Sequence, residues 1–250
     1  MVTVFYNSPH FESSQSTIEE IFLLYEKGKK LSSGRGTAKI VEYKGKKYVL
    51  KKEVRGGMLS SILTDNFFTL SPFYKEIEIC SFLSSKDLTI PIILLFGIKK
   101  FFYEVYSLFQ YIDDASSLKD IILNKKIIEE KLIRAGETIA KMHNLGLYHF
   151  DLNLGNILFS KDKTYIIDLK NSYFYNSPLN CSLARKNLLR VFQSYIKETT
   201  KENIECNKDF FKLILDGYSK IRDENWVKKV KDNNFFLKYK KFIYKVKNKS

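Results

Sequence analysis

The 250-residue sequence predicts an α+β chain of two lobes: a small antiparallel sheet with one helix over residues 1–110, then a mostly helical lobe over 111–250. Three observations predict this. Between residues 31 and 110 the apolar residues alternate or run continuously in short blocks, the period-2 habit of strands. After residue 116 the apolar spacing changes to threes and fours, the habit of helices. Between the two regimes, Tyr111-Ile112-Asp113-Asp114-Ala115 makes a short polar crossing.

The elements follow in order. Strands near 37–43 and 47–53 flank the hairpin turn Lys44-Gly45-Lys46. Alternation along the second strand points Val49 and Lys51 to one face, which separates Lys51 from Lys52. A helix begins near Pro72, a residue suited to a first turn because it lacks the N–H that would go unbonded there. In that helix Glu76 shares a stripe with Ile79, Cys80 and Leu83, so it is the carboxylate that packing buries. Glu78 is the alternate, on the face that water covers. A buried carboxylate needs a cation, and Lys51 is the natural one. Strands near 91–98 and 102–110 complete the sheet. Helices follow at 118–123 and 127–144, the second with a stripe of Leu132, Ala135, Ile139, Ala140 and His143 that ends at Leu145-Gly146. They resume at about 182–199 and 208–222. Residues 1–30 read equally as a capping strand or a loose arm.

Between the helices lies the segment that carries chemistry. His149-Phe150-Asp151-Leu152-Asn153-Leu154-Gly155-Asn156 has the spacing H-x-D-L-x-x-x-N of a phosphotransferase catalytic loop, and Asp168 follows Asn156 by twelve residues. One carboxylate, Asp151, must orient an alcohol and take its proton. The amide oxygen of Asn156 and the carboxylate of Asp168 then suit Mg2+, a hard cation that favours oxygen ligands and phosphates. A single Asp and Asn would satisfy an ordinary turn; the full register does not arise from one. His143 and His149 read as structural groups, His149 as a brace for the loop. Upstream, Ser33-Gly34-Arg35-Gly36-Thr37 is a glycine turn whose N–H groups suit a phosphate, and Lys51 lies on the next strand. Glycine turn, Lys51, Glu76, catalytic loop and Asp168 occur in the order of a protein-kinase-like fold that binds ATP with Mg2+. Only eighteen residues separate Asp168 from Asn187, no A-P-E segment follows, and Leu169-Lys170 stands where Phe-Gly is usual. This truncated activation segment removes the platform for extended peptides and favours a compact acceptor or one presented at a surface.

Composition narrows the setting. Cys80, Cys181 and Cys206 have no metal-ligand spacing and no disulfide framework, which suits a reducing compartment. No secretory apolar region opens the chain, and its longest apolar run, Thr89 to Ile98, contains Pro91 and is half a membrane span. The net charge of +14 favours acidic partners. From Lys228 to Ser250 nine lysines alternate with Phe235, Phe236, Tyr239, Phe242 and Tyr244. Such a segment either docks its aromatic side on the body or lies on an anionic membrane surface. No module supports nucleic acid as a partner.

Four stretches carry a specific resemblance. They are Gly34-Arg35-Gly36-Thr37, Val49-Leu50-Lys51 running on to Arg55-Gly56-Gly57, the catalytic loop, and Asn187-Leu188-Leu189-Arg190 with the helix to Lys197. Over residues 30–200 the chain resembles the 3-deoxy-D-manno-octulosonic acid (Kdo) kinases of the lipopolysaccharide kinase family. The resemblance implies ATP-dependent phosphorylation of the Kdo 4-hydroxyl on a lipid A precursor, at the cytoplasmic face of the bacterial inner membrane, with Asp151 as the active-site residue. The lysine strand of that family often ends in arginine and here ends Lys51-Lys52, which leaves both lysines in play for the phosphates. The acceptor is anionic, so Arg55 beside Gly56-Gly57, Arg190 and Lys197 are candidate clamps. A monomer is expected. A heptose kinase of the same family, an atypical protein kinase, and a nucleotide-binding scaffold without catalysis are the alternatives.

Overall fold

A computed structural model describes residues 2–31, 37–54, 67, 70–99, 103–124, 129–161, 163–170, 172–207 and 209–223. The chain forms two compact units, residues 1–84 with 90–113, and residues 85–89 with 114–250. The segment 85–89, which the sequence pattern places in the first lobe, belongs to the second unit.

The first unit is built on a six-stranded sheet of order β1-β5-β6-β4-β3-β2. Its strands are β1 (Val2–Asn7), β2 (Lys29–Lys30), β3 (Ala38–Tyr43), β4 (Lys46–Lys52), β5 (Ile92–Lys99) and β6 (Tyr103–Gln110). All neighbouring pairs are antiparallel. β3 and β4 join through Lys44 and Gly45, both at positive φ (48° and 72°), the tight turn whose twist matches that of its flanking strands. Helix α1 (Gln15–Lys27) starts at Ser14, whose side chain accepts the Thr17 N–H. Ile18, Ile21 and Tyr25 recur on one face of α1 and form a core with Val41, Tyr43, Leu50, Leu94, Phe96, Tyr106 and Leu108 of the sheet. Among the described residues the unit therefore carries two helices, α1 and α2 (Ser71–Ser84), where the sequence pattern offered one. Residues 2–30 are neither a loose arm nor a strand alone: they hold β1, α1 and β2. In α2 the buried stripe is Phe73, Glu76, Ile77, Ile79, Cys80 and Leu83, and Glu78 is exposed.

The second unit contains β7 (Ser116–Ser117), α3 (Leu118–Leu123), α4 (Glu129–Asn144), β8 (Leu147–Tyr148), β9 (Ile157–Ser160), β10 (Lys163–Ile166), β11 (Tyr173–Phe174), α5 (Cys181–Lys201) and α6 (Phe210–Arg222). Caps set the starts: Ser117 and Asp120 form a reciprocal capping box on α3, and Asn180 accepts the Leu183 N–H on α5. α4 and α6 pack backbone to backbone through two glycines. A Cβ on Gly136 would overlap the Ile214 carbonyl, and one on Gly217 would overlap that of Ile133. β9 and β10 form a hairpin with Ile157 opposite Ile166 and Ser160 opposite Lys163, so Asn156 and Asp168 lie beyond its open end. Among the described residues, no helix is long and apolar enough to cross a membrane.

Candidate active site

The loop between β8 and β9 is organised by one imidazole. His149 is buried, 1% exposed. Its Nδ1 accepts the backbone N–H of Asp151 at 3.1 Å, and its Nε2–H donates to the Ile167 carbonyl at 3.0 Å. One nitrogen must accept and the other must donate, so the ring is neutral with its proton on Nε2. Burial lowers its pKa first; the Ile167 carbonyl and the charges of Asp168 and Asp151 act the other way. A single buried ring therefore ties the backbone of Asp151 to the residue before Asp168. The expected role of brace fits this geometry.

A second layer lies beneath. Asn187 on α5 is fully buried and donates from Nδ2 to the His149 carbonyl at 2.7 Å. Its Oδ1 accepts the His149 N–H at 3.1 Å and the His143 ring at 3.2 Å. His143 on α4, also fully buried, takes the Tyr218 hydroxyl of α6 on its Nδ1 at 2.8 Å. Burial drives its pKa down to about 3, against the smaller effect of Asn187. The polar floor thus couples α4, α5 and α6 to the loop, and every group in it is neutral. Ser194 of α5 adds a further tie, accepting the Leu154 N–H at 3.2 Å.

The candidate residues Asp151, Asn156 and Asp168 lie beside this floor. Asp151 and Asp168 are both exposed. Asn156 is 9% exposed and donates from Nδ2 to the Asp151 carbonyl at 2.8 Å, which turns its Oδ1 away from that bond. The Asn156 carbonyl accepts the Ile167 N–H at 3.0 Å, so Asn156 and Asp168 flank one hydrogen bond. Asp168 sits at φ 61°, a left-handed conformation that Asp tolerates better than most residues. Asn153 donates to the Asp151 carbonyl and to its Oδ2, each at 3.2 Å, while its own Oδ1 accepts the Gly155 N–H at 2.8 Å. The guanidinium of half-buried Arg190 lies 5.3 Å from the centre of the Phe150 ring, beside the loop. Lys197, two turns along α5, is exposed.

In the first unit, Lys51 lies opposite Ser107 on β6. Its Nζ is 3.5 Å from Oε2 of Glu53, a carboxylate only 1% exposed that also accepts the Ser107 hydroxyl at 2.9 Å. Lys52 stands 3.7 Å from Glu104 instead, a carboxylate whose side chain is 22% exposed against 2% for Glu53. Glu76 is 3% exposed. Sequence reasoning missed Glu53; two residues past Lys51 on a strand, it projects to the same face, and that alternation was its signal. It also missed the structural role of Asn187 and Asn153. The Thr37 carbonyl accepts the Tyr25 hydroxyl and the Lys52 N–H, which fixes the backbone at Thr37. Gly34, Arg35, Gly36, Arg55, Gly56 and Gly57 lie outside the described residues.

The family model described as "Lipopolysaccharide kinase (Kdo/WaaP) family" matches residues 25–205. A protein of Vibrio vulnificus (strain YJ016) named 3-deoxy-D-manno-octulosonic acid kinase is 28% identical over 194 residues, 75% of this chain and 81% of its own. A protein of Vibrio cholerae with the same name is 27% identical over 214 residues, 82% of this chain and 89% of its own. A solved structure titled "WaaP in complex with acyl carrier protein" superposes with a TM-score of 0.54 at 14% identity, over 96% of this chain and 99% of that one, and shows the shared kinase-like fold. The family model and the relatives named Kdo kinases make the chain a phosphotransferase with an alcohol group as acceptor. The chain belongs to the lipopolysaccharide kinase (Kdo/WaaP) family.

Proposed function

We propose that this chain transfers the γ-phosphate of ATP to the 4-hydroxyl of a Kdo sugar on a lipid A type glycolipid, with Asp151 as the base. The observation that carries this reading is the His149 ring, bonded on one side to Asp151 and on the other to the residue before Asp168, in a chain whose relatives are named Kdo kinases. Asp151 orients the hydroxyl and receives its proton as the sugar oxygen bonds to phosphorus and the bond to the ADP oxygen breaks. Asn153 holds one carboxylate oxygen of Asp151, and its peptide is fixed by His149 and Asn156.

Lys51 is assigned to the nucleotide phosphates, with Glu53 beside it and Glu76 as a further carboxylate for the same ammonium. Lys51 is preferred over Lys52 because its carboxylate neighbour is buried, where an ion pair holds its geometry better than at the surface. The glycine turn 34–37 would cover the phosphates. The donor set for a divalent ion is Asn156 Oδ1 with the Asp168 carboxylate, two hard oxygens that fit Mg2+. Bound there, Mg2+ would neutralise phosphate charge as it develops. Arg190, next to Phe150 and so close to Asp151, is proposed as a clamp for the Kdo carboxylate, with Lys197 and the 55–57 segment as further substrate contacts. The lysines and aromatics of 228–250 support a peripheral position at the cytoplasmic face of the inner membrane, where such an acceptor lies.

The test compares acceptors. With ATP, magnesium and Kdo–lipid A, mass spectrometry is expected to show one added phosphate, and NMR to place it on the Kdo 4-hydroxyl. Phosphate on a heptose or on a protein substrate alone would overturn the assignment.

A further inference from the structure

The second unit holds a cavity of about 350 Å³ that the reaction above does not use. Its walls are the 86–88 segment, one side of α4, and the start of β10. Lys163 begins β10, and Asp168 follows the end of that strand, so the cavity opens at the far end of the hairpin from the catalytic residues.

The charge in this cavity is unbalanced. Four cations line it, Lys86, Arg134, Lys141 and Lys163, against the two carboxylates Asp87 and Glu137. Both carboxylates are already engaged, Asp87 by Lys163 at 2.8 Å and Glu137 by Lys220 at 2.9 Å. Lys86 and Lys141 are exposed and have no ion pair among the described residues. Two residues of the wall each carry a buried polar atom without a hydrogen-bond partner: Arg134 at Nη2 and Thr164 at Oγ1. Thr164 is 8% exposed, and Arg134 is fixed by its other nitrogen, Nη1, which donates to the Lys161 carbonyl at 2.8 Å. Buried polar groups are nearly always bonded, so a fixed guanidinium with a nitrogen to spare and an unused hydroxyl together point to a missing acceptor. Lysine ammoniums and a guanidinium N–H supply the donors that an anionic oxygen cluster takes.

We infer that this cavity is a second anion site, which takes a phosphomonoester through Lys86, Lys141 and Arg134, with the Thr164 hydroxyl in its wall. The volume lies at the small end of the range for ligand pockets, about 300–1,000 Å³, which admits a phosphate carrying a body of sugar size. A soluble sugar phosphate and a lipid phosphate headgroup present the same group. The inference does not depend on which sugar the enzyme phosphorylates.

The full chain is titrated by calorimetry with glucose 1-phosphate while a non-hydrolysable ATP analogue with magnesium saturates the nucleotide site. One equivalent is expected to bind. The double variant K86Q/K141Q should weaken this by about 30-fold, because two charge-assisted contacts are lost. Lys212→Gln, an exposed lysine on α6 outside the cavity, should leave it unchanged. Both lysines are exposed, so the melting temperature and the affinity for the ATP analogue should hold in the double variant. In parallel, phosphatidylcholine vesicles with and without phosphatidic acid are tested for co-sedimentation. Loss of vesicle binding in K86Q/K141Q, without binding of the sugar phosphate, assigns the site to a lipid headgroup. No binding in either arm, or binding that the double variant leaves intact, overturns the inference.

Discussion

The rim and the floor of the catalytic loop differ in almost every physical respect. The rim, Asp151 and Asp168, is exposed and charged. The floor, His143, His149 and Asn187, is at most 1% exposed and neutral throughout. Charged groups keep their reactivity by staying in water, yet a flexible aspartate cannot hold an alcohol to the tolerance that proton transfer needs. The floor supplies that tolerance with hydrogen bonds between buried neutral groups, which cost little once every partner is satisfied. Rim substitutions should therefore change chemistry with the fold intact. Floor substitutions should damage the fold first.

The largest effect expected of this contrast is at Asn187. Replacing it by Leu removes three hydrogen bonds and strands the buried N–H and C=O of His149. Each unsatisfied buried group costs about 1–3 kcal/mol, so unfolding in urea should show a loss of about 4 kcal/mol. A loss below about 1 kcal/mol would mean that α5 does not carry the loop.

Acid gives the next largest effect, and its sign follows from the histidines. Both have folded pKa values below the ordinary value of 6.5, so the unfolded chain binds protons that the folded chain refuses. Their contribution to stability is complete above pH ~6.5 and is lost as the pH falls, for His143 until about 3. Between pH 6.5 and 5 His143 alone accounts for about 2 kcal/mol, at roughly 1.4 kcal/mol per pH unit. Urea midpoints across that range should fall, and fall less steeply in His143→Gln. Equal slopes in the two proteins would contradict a neutral buried ring.

The smallest effect is expected on the rim at Asn153. Asn153→Ala removes the side-chain donor to Asp151 Oδ2 and the acceptor for the Gly155 N–H, both partly exposed. Turnover should fall about tenfold, near 1.4 kcal/mol, while the melting temperature changes little. A stability loss matching that at Asn187 would erase the distinction between rim and floor.

Much of this was legible in the sequence because it is local. The β3–β4 hairpin is written in Lys44-Gly45 between alternating residues, the buried face of α4 in its three-and-four spacing, and the burial of Glu76 rather than Glu78 in the stripe it shares with Ile79 and Leu83. The register from His149 to Asn156 with Asp168 identified the loop residues. Helix α1 was equally local: Ser14 as cap and Ile18, Ile21 and Tyr25 at helical spacing were in plain view, but without the sheet there was no core for that face to meet. The floor could not be read in this way. Asn187 lies 38 residues from His149, and His143 lies 75 from Tyr218. Nothing in local periodicity couples residues so far apart, because the fold alone brings them into hydrogen-bond range. The family resemblance marked Asn187 as distinctive and was silent on why; the structure shows it bonded to both histidines.

The central claim is that Asp151 takes the acceptor proton, and Asp151→Asn tests it most directly. Single-turnover transfer from ATP to Kdo–lipid A should fall by about 10²–10⁴ while calorimetric affinity for ATP and the melting temperature stay at wild-type values. Transfer at the wild-type rate in the Asn variant would contradict it.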